Sequence, residues 1–108
     1  MNHYFQLYIR PMLIRIVKMT FQPEKVNEFI TAFESRKDLI GNFEGCSGVE
    51  LLRDIQQPSI FFTYSKWQNE QALEKYRQSQ LFQSTWEEVK KWFNDKPEAW
   101  SLENTAPS

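Results

Sequence analysis

The chain has a single cysteine, Cys46, and a single histidine, His3, among 108 residues. One thiol excludes an internal disulfide and any cysteine-cluster metal site, and Cys46 reads as a small buried hydrophobe. One imidazole, in a weakly patterned opening segment, leaves general acid–base work to Tyr, Asp, Glu, Lys or Arg. Only three glycines occur, and none builds a phosphate-cradling loop or a GxGxxG motif. Neither sign of charge is in excess, since 13 basic and 14 acidic residues give a formal net charge of −1. No global field therefore draws the chain to nucleic acid or to an acidic membrane. No apolar run approaches the roughly 20 residues of a membrane span. The opening "MNHYFQLYIRP" lacks the charged, apolar and small-residue regions of a signal peptide, so a cytoplasmic location is expected.

Aromatic residues, by contrast, are abundant: Phe, Trp and Tyr make up 16% of the chain. Each buries about 150–250 Å² and dominates the core or interface that holds it. A chain this short makes one domain, and one thin core has little room for so many rings. A partner surface is the natural outlet.

Residues 1–11 end at Pro11 and read as an N-terminal extension. "MLIRIVKMTF" (12–21) is rich in β-formers and predicts a strand. Pro23 suits the first turn of a helix, and Val26, Phe29, Ile30, Phe33 and Ile40 follow on one helical face. "VELLRDI" (49–55) and "SIFFTYSKW" (59–67) form a hairpin across "QQP". Asn69 and Ser79 are successive N-caps, which breaks the second helical region near Ser79. Its second half, running to Phe93, carries Leu81, Phe82, Trp86 and Val89 on one side, and "AWSLE" (99–103) makes a last strand. Residues 104–108 read as a flexible tail.

The order β-α-β-β-α-β predicts an α+β, ferredoxin-like fold, in which an antiparallel four-stranded sheet carries both helices on one face. The strands, however, are apolar on both parities: Leu13, Val17 and Met19 against Ile14 and Ile16, and Phe61 against Phe62. Leaving about six large apolar groups on an open face forgoes on the order of 10 kcal/mol. A homodimer packed sheet face to sheet face removes that loss; the alternative is that residues 1–11 fold back over the face.

The pattern "MLIRIVKMTFQPEKVNEFITAFESRKDLI", "GCSGVELLRD" and "FFTYSKWQNEQALEKYRQSQLFQSTW" resembles the antibiotic biosynthesis monooxygenase superfamily over about residues 12–103. The resemblance implies a dimeric α+β barrel. It is weak for reaction, because such proteins include cofactor-independent oxygenases, quinol oxidases, haem-degrading enzymes, isomerases and members without known activity. The haem-degrading pattern places an asparagine in the first strand, a tryptophan at the end of the third and an iron-binding histidine on the second helix. Here Trp67 takes the tryptophan position, Val17 the asparagine's and Trp86 the histidine's. Valine has no donor for bound oxygen and an indole N–H does not ligate iron, so histidine-ligated haem chemistry is not expected.

The activity this implies is oxygenation of a small aromatic or quinol-like substrate without metal or flavin. It needs a dry aromatic cavity and a polar group that aids deprotonation. Trp67, Trp86, Phe82, Tyr64, Tyr76 and Phe33 are the expected walls, with Arg15 or Arg53 steadying an oxyanion. Tyr64 and Arg53 are the expected catalytic pair. Each of these residues has a plainer use as core packing, a satisfied hydroxyl or a dimer-rim ion pair. The other functional class is a non-catalytic domain that binds a small apolar ligand or serves assembly alone. An enzyme should show a closed aromatic cavity with a tyrosine, arginine or carboxylate directed inward, and a simple binder an apolar pocket or none.

Overall fold

The computed structural model describes residues 12–105; the expected extension and most of the expected tail lie outside the described residues. Strand β1 (Leu13–Thr20) leads through a 3₁₀ turn at Pro23–Lys25 into helix α1 (Val26–Gly41). Strands β2 (Cys46–Arg53) and β3 (Ile60–Trp67) form the hairpin, followed by α2 (Glu70–Arg77), α3 (Gln80–Val89), a 3₁₀ turn at Lys90–Trp92 and β4 (Glu98–Glu103). The sheet order is β2-β3-β1-β4 with every neighbouring pair antiparallel. This is the ferredoxin-like α+β arrangement expected from the element order.

The break in the second helical region follows from its caps. The Asn69 side chain accepts from the Ala72 N–H at 2.8 Å, starting α2. The Ser79 hydroxyl accepts from the Phe82 N–H at 3.1 Å while donating to the Tyr76 carbonyl at 2.6 Å, which closes one helix and opens the next. Strand limits shift by a residue in several places, and three boundaries differ by more. Strand β2 begins at Cys46, three residues early, and carries an irregularity between Cys46 and Gly48. It ends at Arg53 because the Asp54 carboxylate accepts from the Gln56 and Gln57 N–H groups at 2.8 and 2.9 Å, an Asx turn that bends the chain. Helix α3 ends at Val89, and Phe93 leaves the helix in an extended conformation to bridge Phe21.

Alternation along paired strands sorts the side chains. Val17, Met19, Phe61 and Trp67 face the helices. Phe21, which is fully buried, stacks on Phe29 at 4.0 Å and meets Phe61 edge-on at 6.0 Å, forming the packed end of the core. The other face carries Ile14, Ile16, Leu52, Phe62, Trp100 and Leu102, with Ile16 opposite Trp100 and Leu52 opposite Phe62. No helix among the described residues covers it: Leu52 and Leu102 are each 46% exposed and Trp100 42%.

The loop between α1 and β2 turns on Gly45, whose φ of 87° lies in the left-handed region. Its carbonyl accepts from the Gln68 N–H at 2.8 Å, and a Cβ built there would stand 2.5 Å from the Ala72 Cβ. Gly45→Ala is therefore expected to destabilise the fold by about 1–3 kcal/mol, from backbone strain and overpacking together. Urea unfolding measures it, and an unchanged midpoint would show that the loop is not pinned against α2.

Candidate functional site

Between the helix-facing side of the sheet and the two halves of the broken helical region lies a cavity of about 360 Å³. It exists because the middle of that sheet face carries small side chains. The register sets Arg15 opposite Ser65, Val17 opposite Thr63 and Val17 opposite Ala99. These residues form a low floor between two aromatic ends. Pockets that take small ligands typically run from about 300 to 1,000 Å³, so the space fits a ligand of one or two rings.

The walls are largely those the sequence predicts. Arg15, Phe33, Trp67, Tyr76, Phe82 and Trp86 all line the cavity. Trp67 is 1% exposed, and its indole N–H donates to the Ser65 hydroxyl at 2.9 Å. Its ring stacks on Tyr76 with centroids 5.0 Å apart. Tyr76 meets Phe82 edge-on at 5.2 Å, and Phe82 stacks on Trp86 at 5.8 Å. The turn at Ser79 is what sets Phe82 and Trp86 against the same space as Tyr76.

The expected catalytic pair is not on this wall. Tyr64 is three positions from Trp67 on one strand, so it stands on the opposite face, pairing with Ile16 and lying 6.0 Å beneath the Lys66 ammonium. Arg53 sits at the far end of the hairpin. Its guanidinium lies 4.9 Å over the Phe61 ring, and its Nε–H donates to the Pro58 carbonyl at 2.8 Å. Of the two arginines expected near an oxyanion, only Arg15 reaches the cavity.

Arg15 is half-buried, and its Nη1 donates to the Ser101 hydroxyl at 2.9 Å. Burial lowers its pKa, the nearby Arg77 lowers it further and Glu74 opposes them; a guanidinium remains charged despite such a shift. No carboxylate pairs with Arg15 among the described residues. Two further polar groups escaped the sequence reading. Thr85 presents a buried hydroxyl with no hydrogen-bond partner among the described residues, and Arg77, whose side chain is half-exposed, also lines the cavity. Neither falls on a pattern, so only the folded arrangement reveals them. Cys46 is half-buried and lies outside the lining, with its thiol pKa raised by burial.

Burial, with a smaller contribution from the nearby Cys46 thiol, raises the Tyr76 phenol well above its ordinary range. The phenol is therefore a hydrogen-bond donor near neutral pH and cannot serve as a base. The shift has a stability consequence. Because the folded pKa is above the unfolded value of about 10, the stabilisation is fully present below that pH. It declines by up to about 1.4 kcal/mol per pH unit above it, as the unfolded chain ionises and the folded one does not. Tyr76→Phe should flatten the loss of urea stability between pH 10 and 11. An unchanged slope would mean that water reaches the hydroxyl.

Among the described residues, no group of three or more His, Cys, Asp or Glu side chains comes together, and no helix is long and apolar enough to cross a membrane. Residues 12–88 match the family model described as antibiotic biosynthesis monooxygenase. A Nitrosomonas europaea protein described as a candidate antibiotic biosynthesis monooxygenase superposes with a TM-score of 0.83 at 14% identity, covering 90% of this chain and 93% of that one. A conserved Methanosarcina mazei Go1 protein gives 0.82 at 22% identity, with coverages of 92% and 96%. A Caulobacter crescentus CB15 protein, also described as a candidate antibiotic biosynthesis monooxygenase, gives 0.81 at 19% identity and covers 97% of this chain and 100% of that one. At these identities the likeness is one of fold. No curated protein matches the sequence significantly.

Proposed function

The chain belongs to the antibiotic biosynthesis monooxygenase family, and from that membership we propose that it oxygenates a small electron-rich phenol or hydroquinone in the cavity beneath α2 and α3. The observation that carries this reading is an aromatic-walled space holding one half-buried guanidinium without a carboxylate partner. A simple apolar binder has no use for such a charge, and burying it costs stability.

The chemistry asks little of the protein. Arg15 stabilises the phenolate, lowering the substrate's pKa so that water at the opening takes the proton. The Tyr76 and Thr85 hydroxyls orient the ring by hydrogen bonding. The phenolate passes an electron to O₂, and the resulting radical pair joins to form a C–O bond at a ring carbon that carries hydrogen. This carbon is para to the oxygen in a phenol and ortho to it in a hydroquinone, whose para carbon already bears oxygen. The newly bonded carbon then loses its proton as the O–O bond breaks. One oxygen atom remains as a quinone carbonyl, the other leaves as water, and the substrate supplies all four electrons. Haem fits poorly, because Val17 and Trp86 face this cavity without a donor for bound oxygen or a lone pair for iron.

The open sheet face supports a second part of the proposal, a homodimer formed through Ile16, Leu52, Phe62 and Trp100, because a lone chain leaves Leu52 and Trp100 exposed and Ile16 and Phe62 only partly covered. Equilibrium sedimentation should give twice the chain mass, and a monomer in dilute solution would remove this reading. Oxygen uptake over a panel of naphthols and hydroquinones tests the reaction. Consumption of one O₂ per quinone formed, without added metal or flavin, is the expected result. Ligand binding without uptake would favour the non-catalytic binding domain.

A further inference from the structure

The cavity does not end at its aromatic wall. A second recess of about 410 Å³, lined by Glu70, Gln71, Glu74 and Ser101, shares Arg15, Leu73 and Arg77 with it. An apolar chamber and a polar one therefore meet at two guanidinium groups, one from β1 and one from the last turn of α2. The formal charges around that junction balance, Arg15 and Arg77 against Glu70 and Glu74, but they are not matched in pairs. Glu74 is engaged by Arg77 at 3.0 Å, Glu98 faces Lys18 at 3.8 Å, and Glu70 lies in the first turn of α2. Arg15 gives one N–H to a neutral hydroxyl and pairs with no carboxylate among the described residues. Two like charges close enough to affect each other repel, and a ligand anion placed between them relieves that repulsion. The Arg77–Glu74 pair is exposed and spaced i,i+3, an arrangement worth little, so Arg77 is free to turn toward a stronger acceptor.

We infer that the ligand is an anionic aromatic: its ring system occupies the cavity, and a carboxylate or phosphate substituent projects into the recess, where Arg77 holds it alongside Arg15. A guanidinium edge matches either anion with two parallel N–H donors. This rests on the cavity being the substrate site, and names the class of substrate it takes.

Calorimetric titration with non-oxidisable probes tests it: 2-naphthoate, 2-naphthyl phosphate and the neutral isostere 2-acetylnaphthalene. At least one anion should bind about tenfold or more tightly than the neutral probe, as expected for charge-assisted hydrogen bonds. Whichever of the two anions binds more tightly identifies the substituent. In Arg77→Met, that anion-to-neutral ratio should collapse toward one. The ratio is insensitive to a general loss of folded protein, and the thermal midpoint checks that the variant folds. If the neutral probe binds as tightly as both anions, the inference is overturned while the cavity remains a ligand site. If the wild-type ratio is large and Arg77→Met leaves it intact, Arg77 is not the anchor and the inference fails. If none of the three binds, the inference and the substrate-site reading fall together.

Discussion

Arg15→Met is expected to lower kcat/KM for phenol oxygenation by about 10²–10³-fold, the range seen when one preorganised charge-stabilising donor is removed. For a phenol that carries no anionic substituent, the effect belongs mainly in kcat. Arg15 meets developing negative charge on the substrate, whereas the aromatic walls hold neutral and ionised forms alike. The pH profile separates this role from a structural one. A cation beside the bound phenol lowers its pKa by about 1–3 units, so the wild-type rate should reach its plateau well below the free phenol's pKa. Without the guanidinium, the rising limb should move toward that free value, and activity lost near neutral pH should partly return in alkali. Arg15→Lys keeps the charge but loses the planar fork and the Ser101 contact, so partial rescue is expected. A uniform loss at every pH, without displacement of the limb, would point to damaged packing and would remove Arg15 from the chemistry.

What the sequence reveals and what it hides divide along a physical line. The element order and the break at Ser79 are local: caps and turn residues act within four positions, and Asn69 and Ser79 bond as their neighbours predict. Trp67 is legible because it ends a strand next to a cap. Tyr64 misled because both parities of β3 are apolar, so hydrophobicity gives no sign of which face looks toward the helices. Once Trp67 is buried, strict alternation carries Tyr64 to the opposite side. Arg53 shares the inner parity but belongs to the wrong end of its strand, a matter of register that depends on three other strands. The cavity itself left the least trace in the sequence. It is the space that Ser65, Thr63 and Ala99 fail to fill, and small residues scattered over two strands have no periodic signature. Thr85 and Arg77 are ordinary helix residues until the sheet lies beneath them. Apolarity on both parities, which obscured Tyr64, was also what announced the open face carrying Trp100 and Leu102.

Trp67→Ala should cost about 3–5 kcal/mol of stability, the usual range for removing a large buried aromatic. That is a large share of the 5–15 kcal/mol that holds a typical domain folded, and in a chain this small it should lower the midpoint of thermal unfolding by on the order of 15 °C or more. Three losses combine. The indole leaves a void next to a cavity already present, so its neighbours have little to collapse onto. The Ser65 hydroxyl, which is buried, loses the N–H it accepts. Tyr76 loses its stacking partner and Phe43 its neighbour at 6.4 Å, which loosens the seam between α2 and the loop after α1. Trp67→Phe separates these terms: it keeps most of the apolar contact, forfeits the hydrogen bond, and should cost about 1–3 kcal/mol for the unsatisfied hydroxyl. Urea midpoints for the two variants, compared with the change in affinity for a neutral naphthalene probe, then answer whether the ring is wall or plug. A residue serving both roles loses stability and affinity together. If Trp67→Ala lost affinity while its urea midpoint stayed within about 1 kcal/mol of wild type, the ring would be a movable cover, and the closed cavity would not be the resting state of the protein.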